Sequence, residues 1–448
     1  MIPPEVNRNG TLRRPTLDEN NRAFTAAVVG GGAIAGSTVS VLLSGALLAG
    51  LWRLWQGQIA LPRDPRTRLI GAALASHFLA EALSTLVNFS GPTDLLEGVV
   101  ANIPFLAFLI IFARLSLTPR VEILRWAEFG AVGGGIGAGI FALVQVVLLD
   151  HPRAEGLAGN PGPFALVSAV LVAFCVVAAI RNQGDMRRLA ATGALFAAIA
   201  VLLSGMRSLW PMLVISPVLV LWLMGAVRPR LISAKVLSAG VLTALLVAAI
   251  GYSTVQQRVM SLATDIERVE EGNLDNSLGQ RIRVWDAAVS LIAERPLFGY
   301  GPAHARAVLK AEAHDAGRPD LAFSHTHNMF LNAMVRSGIV GLLAQIAIFL
   351  VPVLVVARAR KDGIGMAGFA ILACLSATYL LNGLVNVSLG HDILDAVYIY
   401  CTIVASYLVL GASSVSRNAP SQSLTGSGRP AGNFAANGES RPAAGGKP

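Results

Sequence analysis

The stretch GIVGLLAQIAIFLVPVLVVA, residues 338–357, decides the class of this fold, because its twenty consecutive positions hold no charged side chain. A helix of about 20 apolar residues spans the hydrocarbon core of a bilayer. Over the whole chain 54% of the residues are hydrophobic, 14% are charged, and the mean hydropathy is +0.61. These values exclude an ordinary soluble domain.

Ten further apolar runs of similar length recur along the chain. They lie at 25–51, 69–90, 98–116, 127–149, 163–180, 189–205, 208–227, 236–254, 364–385 and 395–412. Because lipid offers no hydrogen-bond partner to an open strand edge, such spans must be helical. The sequence therefore predicts an all-α integral membrane protein, a polytopic bundle of about 11–12 transmembrane helices with one large extracytoplasmic loop that contains short helices.

The polar segments divide the chain into five parts. We expect a polar N-terminal tail at 1–24, eight spans at 25–251, the large loop at 252–327, three spans at 328–412, and a disordered tail at 413–448. That last segment is rich in Ser, Gly, Ala, Pro and Asn and shows no apolar period.

Positive charge alternates between successive connections, which predicts the orientation of the bundle. One set of connections carries Arg53, Arg63, Arg66, Arg68, Arg114, Arg120, Arg125, Arg181, Arg187, Arg188, Arg228, Arg230, Lys235, Arg358, Arg360 and Lys361. The positive-inside bias places this set in the cytoplasm and the loop 252–327 outside. An odd count of eleven spans would then leave the Arg-rich N-terminus outside, unless the stretch 24–56 is broken near Gly30-Gly31-Gly32 and adds a pass. The net charge of +9 indicates this topology and contact with anionic membrane lipids, and no nucleic acid partner.

The loop has a readable local structure. The apolar positions Ile282, Trp285 and Ala288 recur at helical spacing and predict an amphipathic helix from Gln280 to about Glu294. A glycine-rich turn follows Pro296, a second short helical stretch is expected at 303–316, and another helix begins at His327-Asn328.

These motifs together resemble the O-antigen ligase superfamily, which also includes O-antigen polymerases. The most specific feature is His327-Asn328, followed by nine residues and then by Gly338-x-x-Gly341. The other matching features are Arg281-x-x-x-Trp285 before Pro296-Leu297-Phe298-Gly299-Tyr300-Gly301, Ser204-Gly205-Met206-Arg207 with Trp210, and Arg153-x-x-Gly156 with Asn160-Pro161. Gly338 and Gly341 are expected to permit close helix packing and not to react.

The resemblance implies a glycan transferase. Its donor is a glycan on undecaprenyl diphosphate, its acceptor is a hydroxyl of a lipid A-core sugar or of a growing glycan, and its active site faces the periplasm from the bacterial inner membrane. In that chemistry His327 serves as the base, and Arg281 and Arg207 bind the diphosphate through the planar guanidinium fork. The further substrate-binding candidates are Arg153, Arg336, Asn328, His325 and Trp285. Two guanidinium groups can stabilise the diphosphate charge, so neither a metal nor a cofactor is expected.

Several alternatives remain open at this stage. Polymerase chemistry differs from ligase chemistry only in the acceptor, and a transporter of lipid-linked sugars is a more distant possibility. His325 and His327 form a His-x-His pair that could bind a metal with His304 or His314, although no carboxylate or cysteine stands at ligand spacing. Arg336 could contact lipid phosphate or the donor. His77 and Glu81, one turn apart in an early span, are expected to contact solvent or each other.

Overall fold

The computed structural model describes residues 16–225, 276–315, 325–359 and 361–418, together with Met260, Thr264, Glu267, Arg268, Glu270 and Glu271. The predicted eighth span at 236–254, most of the N-terminal tail, and the chain after Asn418 lie outside the described residues.

Every regular element in these ranges is helical. The α-helices are α1 (Leu17–Ile34), α2 (Thr38–Trp55), α3 (Pro65–Val87), α4 (Pro92–Gly98), α5 (Phe108–Leu115), α6 (Arg120–Leu143), α7 (Pro161–Arg181), α8 (Gly184–Leu203), α9 (Met212–Gly225), α10 (Ser277–Glu294), α11 (Ala305–Asp315), α12 (Met329–Arg358), α13 (Gly363–Gly383) and α14 (Asp392–Asn418). Short 3₁₀ turns cover Val100–Ala107, Gly156–Ala158 and Arg207–Leu209, and a π-helical turn covers Val144–Leu148. Helix α14 continues to Asn418, past the predicted end of the last span at residue 412.

Within the described residues, ten helical segments are long and apolar enough to cross a membrane. The prediction of a polytopic α-helical membrane protein is therefore confirmed. The loop helices α10 and α11 agree with the predicted stretches at 280–294 and 303–316. The predicted span at 98–116 is less regular than expected, because α4, a 3₁₀ turn containing Pro104, and α5 share one crossing at Pro92–Leu115.

Contacts between distant segments define the two ends of the bundle. At one end, which we call the arginine-rich end, Arg120 pairs with Asp362 at 2.7 Å and the Tyr407 hydroxyl donates to the Thr118 carbonyl at 2.6 Å. At the other end, which we call the loop end, Asn328 donates to the Leu384 carbonyl at 3.1 Å. The alternation of charge seen in the sequence thus corresponds to two physical ends of one bundle.

The first apolar run, 25–51, is two helices instead of one. The chain breaks at 35–37, where Gly36 has φ +56°, and Gly30-Gly31-Gly32 remains helical, so the break lies past the glycines to which we had assigned it. Near the start of α1, Arg22 pairs with Glu122 at the arginine-rich end, while Gly36 packs against Leu157 at the loop end. Helix α1 therefore reaches from one end of the bundle to the other, but it is not among the ten described segments that are apolar enough to cross a membrane.

Glycine lets α1 and α6 approach to backbone contact. A Cβ on Gly30 would overlap the carbonyl of Gly130, and one on Gly134 would overlap the carbonyl of Gly30. Small residues at such crossings allow the van der Waals packing that holds transmembrane helices together in lipid.

Helix α12 contains a break at Gly338, and the turn after α10 fills it. Gly338 has φ +64° and ψ −158°, so the helical hydrogen-bond ladder is interrupted there. The turn 296–301 replaces the lost bonds: the Ile339 amide donates to the Pro296 carbonyl at 2.8 Å, and the Tyr300 and Gly301 amides donate to the Val335 and Arg336 carbonyls, both at 2.9 Å. From the sequence we expected Gly338 to permit the close packing of another helix. In the structure it permits the close approach of the loop backbone at Leu297.

We predict that the loop end faces the outside of the cell. In fusions truncated after Asn276 a reporter that is active only in the cytoplasm should be silent, and in fusions truncated after Lys361 it should be active. Reporter activity in the fusion at Asn276 would contradict this orientation.

We predict that Gly338→Ala destabilises the protein more than any change at an open glycine. A Cβ there would overlap the Leu297 carbonyl group, and a non-glycine residue in a left-handed conformation costs on the order of 1–3 kcal/mol by itself. The thermal unfolding midpoint in detergent should fall by several degrees or the protein should fail to accumulate. Gly133→Ala is the matched control, because nothing lies within 4 Å of the Cβ position at Gly133. Equal midpoints for the two variants would contradict the proposed docking of the turn.

Candidate active site

The return of the loop to the membrane, residues 325–328, is held by contacts on both sides. The Trp285 indole N–H donates to the Thr326 carbonyl at 2.9 Å, which ties this segment to α10. The Asn328 side chain caps α12 by accepting from the Phe330 and Leu331 amides at 2.9 and 3.1 Å. Trp285 and Asn328, both predicted to bind substrate, therefore make contacts that position the segment.

His327 occupies a strained backbone conformation. Its φ of 50° lies in the left-handed region, which few non-glycine residues adopt. Its backbone amide donates to Nδ1 of His325 at 3.2 Å, and the two ring centroids are 4.2 Å apart. Because Nδ1 of His325 accepts this bond, a neutral His325 ring carries its proton on Nε2.

Electrostatics keep His327 neutral. Burial, the charge that His325 carries when it is protonated, and the Arg281 charge lower the pKa of His327 from its ordinary value of 6.5 to about 4, while a hydrogen bond with Asn386 opposes the change. Burial and the Arg306 charge also lower the pKa of His325. Both imidazoles are therefore uncharged near pH 7, and His327 can accept a proton.

Arg281, on the first turns of α10, supplies positive charge beside His327. Burial lowers the pKa of Arg281, but an arginine remains protonated at any relevant pH. Among the residues that the structure describes, no carboxylate lies in salt-bridge range of this guanidinium. None of the described carboxylates therefore neutralises its charge.

Ser208, Asn382 and Asn386 link the Arg207 turn to His327. The Ser208 hydroxyl donates to Oδ1 of Asn382 at 2.8 Å, and the Asn386 amide reaches the Ser208 hydroxyl at 3.2 Å while also bonding to His327. Arg207 itself is exposed, directly before Ser208. Sequence reasoning missed this cluster, although two asparagines one turn apart at the end of an apolar span were a usable signal.

Arg153 supports the Arg207 turn from the neighbouring connection. Its Nε donates to the Ser204 carbonyl at 2.8 Å, and Nη2 lies 3.5 Å from Sδ of Met206. Gly205, with φ +68°, gives the guanidinium room to approach. Arg153 was predicted to bind substrate, and the contacts described here serve the shape of the turn.

Arg336 has a partner that the sequence did not suggest. Its Nη2 pairs with Oε2 of Glu81 at 2.9 Å, and the Ser337 hydroxyl donates to the other oxygen of Glu81 at 2.9 Å. From the sequence we expected Glu81 to contact solvent or His77. In the structure Glu81 is buried, and its carboxylate binds Arg336 and Ser337. His77 is buried and packs its ring against Phe105. A buried carboxylate needs a charged or hydrogen-bonding partner, and α12 provides Arg336 and Ser337 to Glu81.

The alternative of a histidine metal site gains no support from the described residues. No group of three His, Cys, Asp or Glu side chains there could hold a metal ion. His304 faces Asp94 at 3.3 Å, at the start of the α4 crossing. The side chain of His314 lies outside the described residues.

Comparison with known proteins finds a family that is similar to part of this chain. Residues 192–346 match the family model described as O-antigen ligase. The match confirms the predicted resemblance, and it contains Arg207, Arg281 and His327. It supports a membrane glycan transferase of the ligase or polymerase type.

One curated relative is similar to a smaller part of the chain. A protein of Haemophilus influenzae, described as uncharacterized, is 32% identical over 106 residues, which make up 22% of this chain and 26% of that protein. The chain therefore spans about a quarter of the length of this relative.

We predict that each arginine near the two histidines controls one of them. Removing a positive neighbour favours the imidazolium form, so Arg281→Gln should raise the pKa of His327, and Arg306→Gln should raise that of His325. Diethyl pyrocarbonate reacts with neutral imidazole, and peptide mass spectrometry as a function of pH can follow each ring. Each variant is the control for the other, and a larger shift at the other histidine than at the expected one would contradict the arrangement.

Proposed function

We propose that this protein transfers a glycan from undecaprenyl diphosphate to a hydroxyl of a lipid A-core sugar at the periplasmic face of the inner membrane. The observation that carries the proposal is the pairing of a neutral His327 with Arg281, whose charge no described carboxylate neutralises. The first can accept a proton, and the second can hold an anion.

In the proposed reaction the acceptor oxygen attacks the anomeric carbon of the donor sugar. The acceptor proton passes to His327 as the new C–O bond forms. The bond between the anomeric carbon and the diphosphate oxygen breaks, and its electron pair leaves with that oxygen. Arg281 and Arg207 stabilise the charge that develops on the diphosphate, since fixed guanidinium groups need no reorganisation.

The low pKa of His327 fits this sequence of events. A base works best when its pKa lies near the working pH, and the pKa of His327, about 4, lies below that range. Binding of an anionic diphosphate beside Arg281 would offset the positive field and raise the pKa of His327 toward that range. The base would then gain strength only when the donor is present.

The remaining residues have positioning roles in this proposal. Trp285 and Asn328 hold the segment that carries His327, Asn386 bonds to its ring, and Arg153 supports the turn before Arg207. The two arginines supply the positive charge, so the proposed reaction requires no metal or cofactor.

We predict that a strain lacking the gene loses the polymer from its lipid A-core, and that His327→Ala fails to restore it. A positioned base contributes about 10²–10⁴-fold, so the variant should accumulate in the membrane without activity. His325→Ala should restore part of the polymer. Gel electrophoresis of surface lipopolysaccharide measures the polymer that each variant restores. One repeat unit on the core would instead indicate a polymerase, and full restoration by His327→Ala would remove His327 as the base.

We predict that Arg207→Lys and Arg281→Lys both reduce transfer by the purified enzyme. Lysine keeps the charge but loses the two-pronged hydrogen-bonding geometry of the guanidinium. Transfer from a lipid-linked donor, measured with both substrates varied, should fall at least tenfold. Arg187→Lys, on the exposed start of α8, is the control and should retain full activity. Undiminished activity of both test variants would mean that only bulk charge matters.

A further inference from the structure

A cavity of about 270 Å³ lies beside the segment 325–328, between α11, α12 and the connection before α14. Its polar lining includes Arg306, Arg336, Glu97, Asn332 and His325. His327 is not part of that lining. The volume is close to the lower limit of small-molecule pockets, about 300 Å³, so the cavity suits one sugar ring better than a long chain.

Among the described lining residues and their ion-pair partners, two arginines are matched by two glutamates. Arg336 is paired with Glu81 behind the wall, and Arg306 shares the cavity with Glu97. Nη1 of Arg336 lies 3.9 Å from the Cβ position of Gly390, a lining residue, so this end of the guanidinium faces inward. Arg281 differs, because no described carboxylate opposes it. The surroundings of Arg281 therefore suit a diphosphate, and the cavity suits an uncharged ligand.

The hydrogen-bonding groups are mixed in the same way. Arg306 and Arg336 donate only, Glu97 supplies acceptor oxygens, and the Asn332 amide both donates and accepts. His325 presents an Nε2–H when neutral, because its Nδ1 accepts from the His327 amide. Alternating donors and acceptors match the hydroxyl groups of a saccharide, each of which both donates and accepts.

We infer that this cavity binds a neutral sugar ring of the acceptor. The assignment of this sugar to the acceptor rests on the proposed function. The ligand class, a saccharide, rests on the lining of the cavity alone. His325 lines the cavity, and its ring centroid lies 4.2 Å from that of His327. A sugar in the cavity would thus lie beside the ring that contacts the proposed base.

Direct binding tests this inference without turnover. The probe is lipopolysaccharide truncated after the core, in detergent micelles, titrated against the purified full-length protein. Arg306→Ala and Asn332→Ala should each weaken binding about tenfold, the size expected for one lost charged or bidentate contact. Lys310→Ala is the matched control, since Lys310 is exposed one turn after Arg306 and does not line the cavity. Unchanged melting temperatures establish that the variants are folded.

The outcomes separate the two proposals. Unchanged binding in both cavity variants, equal loss in Lys310→Ala, or weaker binding of the lipid diphosphate donor in place of the core would each overturn the inference. His327→Ala should bind the core as the wild type does. If the cavity variants weaken binding but the wild type transfers no glycan, the proposed function fails and the saccharide site stands.

Discussion

The break in α12 at Gly338 is the constraint on which the rest of the loop end depends. A helix that loses its own hydrogen bonds in a membrane must find replacement partners, because lipid supplies none. The turn 296–301 provides them with backbone groups alone, and the Ser84 hydroxyl, within 2.9 Å of the Phe298 and Arg336 carbonyls, fixes both pieces to α3. The end of α10 is thereby fixed to α12, and so is the distance between Arg281 and His327.

Much of this fold could be predicted from local sequence. Apolar runs of spanning length, charge alternation and helical spacing in the loop are properties of short windows, and they gave the class, the two ends of the bundle, and α10 and α11. The break between α1 and α2 was anticipated from charge, but its position was not. Glycine has a low helix propensity, so we expected the helix to break near Gly30. In the structure Gly30 lies inside α1, where the missing side chain lets the backbone of Gly130 on α6 approach.

The candidate site was predictable only in part, for the same reason. His327, Arg281 and Arg207 were identifiable because the family resemblance depends on short motifs. Glu81 and Arg336 are 255 positions apart in the chain, and Asn386 joins His327 to Ser208 across three elements. Such partners depend on helix packing, which no local window records. The role of Gly338 was also predicted wrongly. A glycine required for a positive φ and a glycine required for close helix packing cannot be distinguished in the sequence, because the neighbouring backbone is not known.

The left-handed backbone at His327 has a consequence for how this protein can change. A side chain in that conformation costs on the order of 1 kcal/mol or more, and glycine would remove the cost. The fold would therefore gain stability from the loss of its proposed base. Mutants enriched only for expression or heat resistance should drift toward glycine at this position, and only a requirement for the surface polymer would hold histidine there.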